Sequence, residues 1–162
     1  MTPLVLQPKY ALGPCPSLAD IRVLLVEDEP DIAALLVLVL ETAGAAVTAL
    51  TDAETALALL EVWQPDILLC NVRLPLQDGN WLIQQIRQHA CSALRLLPAI
   101  ALTSYTRDVC ESTALAAGFD RFLVKFEASV VDEMLLLFAI SPKKRTTPAH
   151  GIVQRLTNKL PS

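Results

Sequence analysis

The sequence predicts an α/β domain in which helices cover both faces of a parallel β-sheet. Between residues 21 and 140, five short apolar runs alternate with five segments of helical character. The apolar runs are continuous rather than alternating in polarity, which is typical of parallel strands buried on both faces. The chain of 162 residues has room for one such domain and two tails, at residues 1–20 and 141–162.

The elements follow from apolar runs and the turn residues between them. We expect five strands at Ile21–Val26, Ala46–Leu50, Asp66–Asn71, Ala99–Thr103 and Arg121–Lys125. We expect five helices at Asp31–Ala43, Ala53–Trp63, Asn80–His89, Arg107–Ala117 and Ser129–Ile140. Pro30 suits the start of the first helix and Gly44 its end, Asp52 suits the cap of the second, and Gly118 closes the fourth. Ser141 and Pro142 stop the last helix.

The composition indicates a well-packed protein with reduced thiols. It is 53% hydrophobic with a mean hydropathy of +0.45, so most of the chain is expected to fold. Its apolar runs are too short to cross a membrane, and the N terminus lacks a secretory signal. The four cysteines have no metal-type spacing. We therefore expect a cytoplasmic protein with free thiols.

Charge is divided unevenly along the chain. Residues 1–140 contain 17 acidic and 8 basic residues, a balance of −9, whereas residues 141–162 contain five basic residues and no acid. Such a tail could contact nucleic acid, an acidic partner or the domain's own surface, or remain solvated. Five charges without aromatic residues are a weak signal for nucleic-acid binding.

Polar residues end four of the predicted strands. Glu27 and Asp28 follow the first strand, and Asn71 ends the third. Thr103 ends the fourth strand and Lys125 the fifth. Because the carboxyl ends of parallel strands meet at one edge of the sheet, we expect these groups to converge on a shallow cleft.

Four stretches resemble the receiver domain of bacterial two-component response regulators: VLLVEDEPDIAALL, PDILLCNVRLPLQDG, AIALTS and AAGFDRFLVK. The resemblance covers roughly residues 21–140 and implies a flavodoxin-like (CheY-like) sheet of order 2-1-3-4-5 with five flanking helices. It implies phosphoryl transfer from a histidine kinase to an aspartate, with magnesium at the acidic pair. Thr103 and Lys125 would contact the phosphoryl group, and Phe122 matches the switch aromatic.

The residue at the phosphoacceptor position is Asn71, four residues before Pro75. A carboxamide oxygen is uncharged and a poor nucleophile, so phosphorylation at the usual site is not expected. Asp66 and Asp78 match other family acids, and neither replaces the acceptor. Cys70 should point to the opposite face of its strand.

Magnesium binding should be weakened by the loss of one negative charge. The remaining ligands would be Asp28, the Asn71 carbonyl oxygen and the Arg73 backbone carbonyl. Asp28 would also pair with Lys125.

Phe126 stands where family members usually have a proline joined by a cis bond. Because a cis bond to a non-proline residue costs about 2.5–4 kcal/mol, we predict a trans bond and a displaced loop.

Helix Asp31–Ala43 is apolar around most of its circumference. Its core stripe is predicted to comprise Ile32, Leu35, Leu36, Val39 and Leu40, which leaves Ala33, Ala34, Val37 and Leu38 outside. The last helix is similarly apolar. These extra residues either contact each other or the tails, or they form an exposed patch for a partner.

The sequence therefore predicts a non-enzymatic, atypical receiver (a pseudo-receiver) that acts through protein–protein interaction in bacterial signalling. The expected partner is a histidine kinase, another regulator or a second copy, and no membrane is involved. One alternative is a functional phosphoacceptor receiver with an unusual acceptor, or with an asparagine introduced deliberately in place of aspartate. The other is nucleic-acid binding through the basic tail.

Overall fold

The computed structural model describes residues 17–104, 110–127 and 129–140, with side chains as far as residue 137. Five parallel strands form one sheet in the order β2-β1-β3-β4-β5, which confirms the predicted topology. The strands are β1 (Arg22–Val26), β2 (Ala46–Leu50), β3 (Ile67–Asn71), β4 (Ala99–Thr103) and β5 (Arg121–Val124).

Six helices occur in the described residues, one more than predicted. They are α1 (Pro30–Thr42), α2 (Ala53–Val62), α3 (Gly79–Arg87), α4 (Ser92–Arg95), α5 (Glu111–Ala117) and α6 (Val130–Ile140). The additional helix is α4, a single turn whose four residues are too few to show helical periodicity. The predicted helix start at Arg107 lies outside the described residues.

The core has two layers, one on each face of the sheet. Successive strand residues alternate between them: Leu24, Val26, Leu68 and Cys70 face one layer, and their neighbours face the other. Helices α2, α3, α4 and α5 cover the first layer, whereas α1 and α6 cover the second. Because β1, β3 and β4 are buried on both faces, their carboxyl ends are held rigidly.

The predicted orientation of α1 is wrong in part. Leu36 and Leu40 are buried and Val37 is partly buried, but Leu35 and Val39 are exposed rather than in the core. Nine consecutive apolar residues, 32–40, contain no polar side chain to mark the outer face. The sequence therefore leaves the rotation of the helix open, and packing of Leu36 and Leu40 decides it.

The segment before β1 belongs to the packed domain. Leu18 is fully buried against the α1 and α6 layer, although the sequence assigned residues 1–20 to a tail. Its backbone N–H donates to the Ala43 carbonyl over 2.7 Å, and its carbonyl accepts from the Ile21 N–H over 3.0 Å. This contact ties the start of the sheet to the end of α1.

Two predictions about chemistry and membranes can be compared with the described residues. Cys70, Cys91 and Cys110 are free thiols, and Cys15 lies outside the described residues. Within the described ranges, no helix is both long and apolar enough to span a bilayer.

Candidate functional site

The carboxyl edge of the sheet gathers the polar residues that the sequence predicted. Glu27, Asn71, Thr103 and Lys125 are the buried polar residues among those described, and Asp28 beside them is half-buried. Burying a charge without a partner is costly, so the contacts within this group decide whether it is stable.

Lys125 forms an ion pair with Glu27 at the floor of the site. The Lys125 Nζ lies 2.6 Å from Glu27 Oε2, and the two side chains are only 2% and 0% exposed. The sequence suggested Asp28 as the lysine's partner, and this is wrong in the structure. Glu27 directly follows β1 and its side chain is buried, whereas Asp28 lies one residue further into the loop.

The amide of Asn71 links both acids. Its Nδ2 donates to Asp28 Oδ1 over 3.0 Å and to Glu27 Oε1 over 3.3 Å. A carboxylate only accepts hydrogen bonds, so the amide satisfies both acids only with its nitrogen turned towards them. Glu27 Oε1 also accepts the Glu29 N–H over 3.1 Å. The site is thus a closed network of two carboxylates, an amide and an ammonium.

The loop after β3 is held against Asn71 by Asp78, which the sequence analysis named without a structural role, and by Gly79, which it did not name. Asp78 caps α3 by accepting the Trp81 N–H over 2.7 Å. Gly79 donates to the Val72 carbonyl, and a Cβ added to Gly79 would lie 2.5 Å from the Asn71 carbonyl oxygen. The Asp-Gly pair before an apolar helix was the available signal for this close approach.

Thr103 and Phe122 lie near the network without joining it. The Thr103 hydroxyl donates to the Ser104 carbonyl over 2.8 Å, while its own carbonyl accepts the Lys125 N–H over 2.7 Å. Phe122 is partly buried and packs against the layer formed by α2, α3, α4 and α5. Thr103 therefore borders the acid–amide network, and Phe122 belongs to the core beneath it.

The loop after β5 differs from the cis-proline arrangement that the resemblance implies. The bond before Phe126 is trans, as predicted. Phe126 has φ of +66°, a left-handed conformation unusual for a bulky residue, and is 61% exposed. Leu76, in the loop after β3, has the same φ and is 91% exposed. Two apolar side chains thus project into solvent from the loops at the carboxyl edge of the sheet.

A cavity of about 240 Å³ adjoins the site, and neither Glu27 nor Asp28 lines it. It is lined by Val72, Arg73, Leu74, Asp78, Asn80, Cys110 and Thr113. Arg73 is the one predicted site residue in this lining. Hydrogen bonds from the Ser112 hydroxyl, and then from backbone N–H groups at the start of α5, lower the pKa of the exposed Cys110 thiol to about 7.

Cys70, Asp66 and Asp78, which the sequence analysis compared with Asn71, do not take part in the network. Burial raises the pKa of the Cys70 thiol, and the neighbouring Glu27 charge raises it further, so Cys70 is not a thiolate at neutral pH. Asp66 accepts the Arg22 N–H over 2.8 Å at the opposite edge of the sheet, and Asp78 caps α3. Neither acid is directed at the network.

The arrangement does not fit a magnesium ion without rearrangement. Magnesium requires carboxylate or carbonyl oxygens facing the metal. Here Asn71 presents its nitrogen to Asp28 and Glu27, and Lys125 occupies the other Glu27 oxygen. The described residues contain no group of three or more histidine, cysteine or acidic side chains placed to hold a metal. An ion would have to turn the Asn71 amide away from both acids.

A 2-1-3-4-5 parallel sheet with an acidic pair, a strand-end lysine and a polar residue at the end of β3 defines the receiver class of signalling domains. The chain belongs to that class, because the response regulator receiver domain family matches residues 23–134.

Among curated relatives, an uncharacterized 14.6 kDa protein of Leptolyngbya boryana is 41% identical over 109 residues, covering 67% of this chain and 82% of the relative. The alkaline phosphatase synthesis transcriptional regulatory protein PhoP of Bacillus subtilis is 32% identical over 104 residues, covering 64% of this chain. The match spans only 42% of PhoP, so the whole regulator's activity does not carry over.

A solved structure gives the same fold. The receiver domain of the sensor histidine kinase PA1611 from Pseudomonas aeruginosa is 29% identical, with a TM-score of 0.64, and the match covers 74% of this chain and 95% of that one. That structure holds a magnesium ion in its active-site cleft.

Proposed function

We propose that this chain is an atypical receiver domain that does not depend on phosphorylation and acts through protein–protein interaction. The observation that carries the proposal is the Asn71 amide nitrogen, which hydrogen-bonds both acids at the position of the missing phosphoacceptor. The amide oxygen is a poor nucleophile, and among the described residues Cys70 is buried, while Asp66 and Asp78 accept hydrogen bonds elsewhere. The domain is proposed to have no enzymatic activity of its own.

Magnesium binding, in this proposal, is weaker than in receivers with an aspartate at this position. The ion must break two hydrogen bonds between Asn71 and the acids, and it meets one negative charge fewer. Asp28, the Asn71 carbonyl oxygen and the Arg73 backbone carbonyl are the ligands it would use. Thr103 and Lys125 then retain a structural role, with Lys125 neutralising Glu27.

A protein partner is supported by the exposed loops. Leu76 and Phe126 hold unfavourable left-handed conformations while exposing apolar side chains, and such strain is typical of functional surfaces. Family membership suggests a histidine kinase, another regulator or a second copy as partner. A cytoplasmic location and the absence of nucleic-acid binding are further parts of the proposal.

The test is intact-mass analysis after incubation with a small-molecule phosphodonor and magnesium, beside an Asn71→Asp variant. We expect the variant alone to gain a labile phosphoryl group. That result would mean that the asparagine at position 71 is what prevents phosphorylation of the unmodified chain. If neither protein gains one, residues other than Asn71 also prevent phosphorylation, and Phe126 becomes the next residue to substitute. Phosphorylation of the unmodified chain would refute the proposal.

A further inference from the structure

The outer face of α1 carries an apolar stripe that the described part of the chain leaves exposed. Leu35, Leu38 and Val39 are 45%, 62% and 40% exposed. Their spacing of three and four residues places them side by side on one face of the helix. A single exposed leucine is ordinary, but neighbouring apolar side chains on one helix face mark a docking surface. We refer to these three residues as the α1 outer stripe.

The two helices that cover this face of the sheet carry acidic residues and no basic ones. Helix α1 contains Asp31 and Glu41 and no lysine or arginine. Helix α6, which covers the same face of the sheet, contains Asp132 and Glu133 and likewise no basic residue. A second copy of this face would bring acids against acids. The complementary occupant is an apolar segment with basic flanks.

The chain itself contains such a segment after α6. Residues 141–162 hold five basic residues and no acid. Within them, apolar residues occur at helical spacing: Ile152, Val153, Leu156 and Leu160. Arg155 and Lys159 would lie beside that apolar face, whereas Asn158 would lie opposite to it on a helix.

The connection is long enough for docking within one chain. Because α1 and α6 both return from the carboxyl edge of a parallel sheet, they end at the same edge. Residues 141–151 can span up to roughly 36 Å when extended. Neighbouring packed helices are only about 10 Å apart, and the 13-residue α1 is about 20 Å long. Residue 152 can therefore reach any part of the α1 outer stripe.

We propose that residues 152–160 dock as an amphipathic helix on the α1 outer stripe of the same chain. The apolar residues of the segment cover Leu35, Leu38 and Val39, and its basic residues complement the acidic charge of α1 and α6. The docked segment competes with any partner that uses this face of α1. The proposal does not depend on whether Asn71 accepts a phosphoryl group, so the two can fail separately.

Cysteine pairing tests the docked arrangement in the full chain. In a Cys110→Ser background, Leu38→Cys is combined with Leu156→Cys or, as the matched control, with Asn158→Cys. Under mild oxidation we expect an intramolecular disulfide to form several-fold faster for the Leu156 pair. Equal rates for the two pairs would overturn the proposal. Disulfides that form only between two chains would also overturn it, because the occupant would then be a second copy.

A second measurement keeps the test independent of added thiols. Leu156→Asp and Asn158→Asp make the same change in charge, but only the first removes an apolar contact. We expect Leu156→Asp to lower the ratio of docked to undocked segment by about tenfold or more. Binding of a hydrophobic fluorescent dye should then rise in Leu156→Asp and stay unchanged in Asn158→Asp. An equal response from both variants would contradict docking through the apolar face.

Discussion

Replacing Asn71 by aspartate tests whether the amide stabilises the site in place of a metal ion. The substitution removes two hydrogen bonds to carboxylates, at 3.0 and 3.3 Å, each worth about 1.5–3 kcal/mol when the acceptor is charged. It also places a third carboxylate beside Glu27 and Asp28. At an effective dielectric constant near 20, each such repulsion amounts to roughly 4 kcal/mol at 4 Å.

These costs are only partly realised, since Asp28 is half-exposed and Lys125 attracts the added charge. We therefore expect Asn71→Asp to lower the free energy of unfolding by about 3–5 kcal/mol in metal-free buffer, a large part of a typical domain's stability. Magnesium at a hundred times its dissociation constant should restore about 2.7 kcal/mol. It should stabilise the unmodified chain far less.

The assay is urea unfolding with chelator and with magnesium, using Asn71→Ala as the matched control. That variant removes the amide N–H donors without adding charge. Its free energy of unfolding should therefore fall by less, and magnesium should not restore it. Equal stability of Asn71→Asp and the unmodified chain in chelator would refute the reasoning. Equal stabilisation of both by magnesium would do the same.

Three further predictions concern the surroundings of the site. Lys125→Met should cost about 3–5 kcal/mol in urea unfolding because it leaves the Glu27 carboxylate buried without its cation, and adding Glu27→Gln should recover much of the loss. Gly79→Ala should lower stability by about 1–3 kcal/mol in thermal unfolding, since its Cβ would meet the Asn71 carbonyl oxygen at 2.5 Å; an unchanged midpoint would contradict this close approach. Alkylation of Cys110 should accelerate as pH rises through about 7, because the thiolate is the nucleophile, and a midpoint near 9 would contradict the proposed hydrogen bonding.

Much of the sheet could be predicted because its strands are short apolar runs with clear ends. The limits of Ala46–Leu50 and Ala99–Thr103 were predicted to the residue. The convergence of strand-end polar groups also followed from sequence order, since parallel strands bring their carboxyl ends together. These features depend on local pattern and topology, which the sequence carries directly.

The rotation of α1 and the side-chain contacts of the site depend on packing, which the local sequence pattern does not determine. The rotation of α1 is set by Leu36 and Leu40 within an uninterrupted apolar run. The choice of Glu27 rather than Asp28 as the partner of Lys125 depends on side-chain direction at the end of β1. The orientation of the Asn71 amide similarly follows from acceptors 43 and 44 residues away in sequence.

The buried Leu18 has a mechanical consequence. Its backbone hydrogen bond to Ala43 fastens the chain just before β1 to the end of α1. A pull applied at Ser17 would therefore load the end of α1 through this hydrogen bond as well as β1 through the covalent chain. A domain joined directly before Ser17 would thus be mechanically coupled to the end of α1.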